Sequence, residues 1–134
     1  MKVKGLNGRS YAWTLRGHMP AATGGPKKSS LHMTARTLLR TLYPFDNVYE
    51  EVSLPGSDGL TADFVIPTKK MLVEVHGEQH YKYNAFFHAT ALDFIESKKR
   101  DARKREWADL NGLTFVELPY NESVDQWLNR IING

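Results

Sequence analysis

"LTADFVIPTKKMLVEVHG", residues 60–77, holds two runs of β-forming residues around Pro67-Thr68-Lys69-Lys70. The pattern predicts a hairpin with its turn near Pro67–Lys70. If Ile66 faces Met71 across that turn, Asp63 falls directly opposite Glu74, their Cβ atoms about 5 Å apart. His76, two residues past Glu74, shares the same face because strand side chains alternate. Phe64, Val73 and Val75 then point to the other face, towards a core. Two opposed carboxylates repel each other, and the arrangement makes sense when a cation sits between them.

Gly77 breaks the second strand and permits a sharp backbone departure. Gln79 and His80 are therefore expected in a loop lining the same cleft. Gln79 would hold a water or a phosphate oxygen and His80 would assist acid–base work, unless both tie the loop down by hydrogen bonds. His76 and His80 have the spacing of a helical zinc pair, but a strand running into a loop does not present them together, so zinc is not expected.

Working outward, Leu31, Ala35, Leu38, Leu39 and Leu42 recur at helical spacing after Ser30, giving a helix over about 31–43 that Pro44 stops. Residues 47–55 read as a strand and "GSDG" (56–59) as a turn. The segment 84–94 is a connection of mixed pattern. A helix follows over about 94–111, ended by Asn111-Gly112. Residues 113–119 form a last strand, and Ser123 with Gln126 makes a capping box for a final helix to about 132. Trp107, Leu110, Phe115, Val116, Trp127, Leu128 and Ile131 are expected in the core. The order is helix, three strands, helix, strand, helix: an α/β fold with a mixed sheet.

The chain has 134 residues and no Cys, so disulfides, thiolate zinc sites and a cysteine nucleophile are excluded. It contains no apolar run of the roughly 18 residues that a membrane span needs and no apolar leader, so a cytoplasmic protein is expected. Net charge is only +3, but residues 1–30 hold Lys2, Lys4, Arg9, Arg16, Lys27 and Lys28 and no acid. With the "ATGGPKKSS" linker (22–30), this predicts a basic N-terminal arm over 1–29 and one folded domain over 30–134. A basic arm with Tyr11 and Trp13 interleaved suits a nucleic acid.

Hard divalent cations such as Mg²⁺ or Mn²⁺ take oxygen ligands, usually one or two carboxylates plus water and substrate phosphate. Asp63 and Glu74 supply that pair. A neighbouring cation or proton acceptor would complete a phosphodiester-hydrolysing site.

Asp63, followed on the next strand by Glu74-Val75-His76, resembles the PD-(D/E)XK nuclease motif. The element order resembles that superfamily's restriction-endonuclease-like αβββαβ core. "EVHGEQHY", with the later "RDARKREW" and "VELPY", looks like small phage-encoded endonucleases and is similar to very-short-patch-repair-type homing endonucleases. The resemblance covers about residues 30–132 and implies a metal-dependent DNA endonuclease with Asp63 and Glu74 on the metal. Three positions depart from the pattern. Ala62 replaces Pro, His76 replaces the motif Lys, and the first helix lacks the Glu of many relatives, leaving His32, Arg36 or Glu51 for that place.

Lys104 is a second candidate for the lysine role. Six of the eight residues 98–105 are basic, and Asp101, Lys104 and Ala108 share one helical stripe. His76 is favoured, because its position two residues after Glu74 fixes its face. Lys98, Lys99 and Arg103 join the basic residues of the arm as phosphate contacts. Glu50, Glu78 and Glu117 are expected to be solvated or structural. A chain of this size has room for one site and cuts one strand, so a double-strand cut needs a homodimer or sequential nicks. The alternative is a nucleic-acid-binding module on the same fold that has lost catalysis. A metal-independent RNA-binding protein would explain the arm but not the carboxylates.

Overall fold

The computed structural model describes residues 2–13, 15, 30–77 and 90–134. Among these the order is β1 (Lys2–Lys4), β2 (Ser10–Ala12), α1 (Ser30–Leu42), β3 (Tyr49–Ser53), β4 (Thr61–Ile66), β5 (Met71–His76), α2 (Ala91–Leu110), β6 (Thr114–Pro119) and α3 (Val124–Asn133). The last four strands form a mixed sheet in the order β3-β4-β5-β6, antiparallel at the first two junctions and parallel between β5 and β6. A parallel pair needs a long crossover, and α2 lies within it. The fold is α/β, and from α1 onward the element order is the one that the sequence predicts.

The decisive hairpin has the expected register, with Ile66 opposite Met71, Val65 opposite Leu72 and Phe64 opposite Val73. A 3-10 turn over Pro67–Lys69 joins the strands, and Lys70, at a left-handed φ of 49°, closes it by donating its N–H to Pro67 O at 3.0 Å. The pyrrolidine ring presets the first turn position, and the left-handed residue then reverses the chain.

Two cores sandwich the sheet. Ala35 and Leu39 of α1, Phe64 and Val73 of the sheet, and Trp127 and Ile131 of α3 fill one side. Trp107 and Ala108 of α2, with Val52, Val65, Leu72 and Leu113, fill the other. The helix ends follow local chemistry. Thr90 caps α2 by accepting from Asp93 N, and Ser123 and Gln126 form the reciprocal capping box of α3. Leu110, expected in the core, is the last residue of α2 and 48% exposed, and Phe115 is half-buried under the Arg105 guanidinium, 4.4 Å from the ring centre.

The N-terminal expectation is corrected over residues 2–13. These form a hairpin that packs into the second core instead of an extended arm. Val3 and Trp13 are buried, and the Trp13 ring meets Trp107 edge-on at 5.2 Å between centroids. Asn111 clasps the Lys4 backbone at both its N–H (2.7 Å) and its carbonyl (2.9 Å), tying β1 to the end of α2. Lys2 and Lys4 flank Val3 and face solvent, so the alternation of a half-buried strand was present but overwritten by charge. Trp13, a proposed base-stacking residue, is instead a core residue. Arg16, Lys27, Lys28 and residues 22–29 of the linker lie outside the described residues.

β3 and β4 contain one irregularity. The register is constant on both sides of Glu51 and Asp63, yet these two do not pair. Glu51 has a left-handed φ of 51°, strained for a residue with a side chain. Across this point the pleat reverses. Glu50 and Phe64 face α1, whereas Val52 and Ala62, two residues along each strand, face the opposite core.

Candidate active site

At Asp63 the backbone ladder between β4 and β5 stops, and side chains replace it. Asp63 N–H donates to Glu74 Oε2 at 2.9 Å, and Val75 N–H donates to Asp63 Oδ2 at 2.8 Å. Each carboxylate therefore satisfies a backbone donor on the other strand, which gives the pair a structural use that sequence patterning did not reveal. The Ile66–Met71 register, carried along the strands, sets Asp63 opposite Glu74 as predicted, and these two backbone-to-carboxylate bonds join them.

Glu74 is 2% exposed, and its Oε1 sits 2.5 Å from Lys104 Nζ. Burial first, and the Asp63 charge second, push the Glu74 carboxyl up to about 8, while Lys104 pulls it down less strongly. Lys104 pairs with Glu74 alone of the two acids, and burial with the neighbouring Asp63 charge favours the neutral Glu74 carboxyl.

His76 lies on the same sheet face as Glu74, as alternation predicts, but turns to other partners. Its Nδ1 is 3.3 Å from Glu117 Oε1 and its Nε2 is 4.0 Å from Asp101 Oδ1. Glu117 pairs in register with Glu74 across the parallel junction, is half-buried and also binds Arg105 at 3.2 Å. A cavity of about 150 Å³ opens here, lined by His76, Lys98, Asp101, Arg105, Phe115 and Glu117. Asp101 and Lys104 do share a helical stripe, one directed at His76 and the other at Glu74. The sequence could place Lys104 on that stripe but could not tell how far the docked helix would bring it towards Glu74.

On the opposite face, His32 and Arg36 of α1 do not approach the carboxylate pair. They hold Glu50, which is 3% exposed: His32 Nε2 lies 2.5 Å from Oε1 and Arg36 Nε 3.1 Å from Oε2. The His32 ring stacks on Phe64 with centroids 4.6 Å apart. Glu51 is exposed at the pleat reversal. Gln79, His80 and Glu78 lie outside the described residues. Among the described basic residues, Lys2, Lys4, Arg9, Lys98 and Lys99 are exposed, and Arg103 donates to Ser57 O at 2.9 Å. Lys99 also pairs with Glu96 at 3.7 Å.

The donor set suits an oxygen-seeking cation in one respect. Asp63 and Glu74 present carboxylate oxygens on adjacent strands, the number from which Mg²⁺ is commonly held when waters and phosphate complete its shell. Among the described residues no group of three or more His, Cys, Asp or Glu could hold a metal by itself.

The chain is similar to proteins of three viruses. It is 32% identical over 109 residues to uncharacterized protein 033L of Invertebrate iridescent virus 3, covering 75% of this chain and 56% of that protein. It is 37% identical over 65 residues to uncharacterized protein 307L of Invertebrate iridescent virus 6, covering 48% of this chain and 33% of that protein. A third relative, uncharacterized protein 094L of Frog virus 3 (isolate Goorha), is 28% identical over 75 residues, covering 54% of this chain and 48% of that protein. The chain thus spans between a third and somewhat over half of the length of these relatives. No family model matches, and no solved structure matches. Among the described residues no helix is long and apolar enough to cross a membrane.

Proposed function

We propose that this protein is a divalent-metal-dependent DNA endonuclease of the PD-(D/E)XK type. The observation that carries the reading is the convergence of Asp63, Glu74 and Lys104, with Lys104 Nζ 2.5 Å from Glu74 Oε1. Asp63 and Glu74 would hold Mg²⁺ or Mn²⁺. When bound, the ion lowers the pKa of water and neutralises charge on the phosphate. Lys104 supplies a fixed positive charge beside Glu74, where charge develops on the phosphate oxygens. It takes the lysine role that sequence position had given to His76. His76, held by Glu117, is a positioning group at the edge of the site. Glu74 must give up its proton to take part, so metal binding is coupled to proton release.

Exposed Lys98 and Lys99 on α2, with Lys2, Lys4 and Arg9 on the hairpin, would neutralise backbone phosphates, so binding should weaken with salt. With viral relatives and a DNA substrate, we assign its work to the cytoplasm of the host cell. Incubation of supercoiled plasmid with purified protein should give nicked circles with Mg²⁺ or Mn²⁺ and none in EDTA. Glu74→Gln should abolish nicking while still binding DNA. Binding without nicking by the wild type would support the catalytically inactive nucleic-acid-binding module.

A further inference from the structure

The N-terminal hairpin meets the turn before β4 at a second opening, about 560 Å³, lined by Leu6, Asn7, Tyr11, Asp58 and Arg103. It falls within the roughly 300–1,000 Å³ range of small-molecule sites. A contact between two glycines fixes its floor. A Cβ at Gly56, where φ is +71°, would lie 2.5 Å from both Gly5 Cα and Tyr11 Cε2, and one at Gly5 would lie 2.6 Å from Gly56 Cα. Leu6 N–H donates to Gly56 O at 2.9 Å, locking the hairpin loop onto the turn. Asn7 Nδ2 donates to the Tyr11 hydroxyl at 2.7 Å, which holds the ring and the amide in one unit. Arg103 reaches the same turn from α2 through its bond to Ser57 O.

The geometry points to a pocket for one unstacked nucleotide of the DNA substrate, its base against Tyr11. An aromatic ring, a carboxamide, a carboxylate and a guanidinium line this opening, and such groups recognise a nucleobase by stacking and by its polar edge. Asp58 at the rim disfavours a bare phosphate, whereas a carboxylate accepts hydrogen bonds from exocyclic amines of bases. The pocket also shares both of its supports with the candidate active site. Arg103 immediately precedes Lys104 on α2, and the turn bearing Asp58 leads into β4, which carries Asp63. A nucleotide seated here anchors the strand that runs to the carboxylates.

That DNA is the ligand rests on the nuclease reading, so the test is made without turnover. A single-stranded deoxyoligonucleotide bearing one 2-aminopurine is titrated with the full chain in EDTA and followed by fluorescence. Saturable quenching is expected, with weaker binding of the same sequence fully paired. Tyr11→Leu keeps apolar bulk against the core, and Asp58→Asn keeps a residue tolerant of its left-handed backbone (φ 63°). Each should weaken binding about tenfold while the chain still unfolds in one cooperative transition. Variants that fold and titrate like the wild type would overturn the pocket, even if plasmid nicking by the wild type upholds the nuclease. Variant-sensitive quenching by a protein that nicks nothing would support the pocket and reject the nuclease. Tighter binding of the matching ribo-oligonucleotide would overturn the assignment to DNA.

Discussion

The two faces of the sheet each bury an ionic cluster, and the clusters differ in charge balance. Under α1, one carboxylate, Glu50, is held by the Arg36 guanidinium and the His32 imidazole, with His32 stacked on Phe64. Under α2, Glu74 pairs with Lys104 beside a second carboxylate, Asp63, and burial with the Asp63 charge drives Glu74 up to about 8. In the first cluster the acid is matched by the Arg36 guanidinium and hydrogen-bonded by the His32 ring, which suits a fastener between helix and strand. In the second, one negative charge is left to be matched by a proton or a metal. A buried acid with enough partners is architecture. One without enough invites a ligand.

This contrast is broken most severely by removing the acid from each side. Glu50→Ala leaves Arg36 part-buried and without its carboxylate, which should cost about 3–5 kcal/mol of stability by urea denaturation. Glu74→Gln, in EDTA below about pH 8, should cost far less, because the amide replaces a carboxyl that burial already favours in its neutral form. Equal losses would mean that both clusters are fasteners.

A smaller effect separates the two candidates for the lysine role. At saturating metal and DNA, Lys104→Ala should lower the single-turnover rate by about 10²-fold, as loss of one charge-stabilising group does. His76→Ala should slow it less, since its ring engages Glu117 and lies 4.0 Å from Asp101. The reverse ranking would return the role to His76.

A third test is in pH dependence. The folded Glu74 carboxyl titrates near 8, above its ordinary 4.5, so the native chain binds this proton more tightly than the unfolded one. Its stabilisation is fully present below about pH 4.5 and is lost as pH rises through about 8. The urea midpoint in EDTA should therefore fall between pH 5 and pH 8.5, and Glu74→Gln should flatten that fall. A wild-type slope kept by the variant would place the titrating group elsewhere.

How much of this was legible in the sequence follows from how local each feature is. The β4–β5 register was readable because Pro67 fixes a short turn and alternation carries the pairing from Ile66–Met71 down to Asp63 and Glu74. The capping box of α3 was readable for the same reason. The N-terminal hairpin was not, because Lys2 and Lys4 surround the single inward residue of β1 and the weight of charge obscured the alternation. The pleat reversal had no signal, since Glu51 is not a residue that normally announces a left-handed backbone. The site was half legible. Alternation put His76 on the correct face, but only the docking of α2 decides that Lys104 reaches Glu74 while His76 turns to Glu117.

The central claim, that the carboxylate pair under α2 is a metal site and the cluster under α1 is not, is tested most directly by titrating Mn²⁺ into the protein in a calorimeter at pH 8. Binding of one ion per chain is predicted for the wild type, abolished by Asp63→Asn and retained in Glu50→Gln. No binding by the wild type, or equal binding by Asp63→Asn, would contradict it.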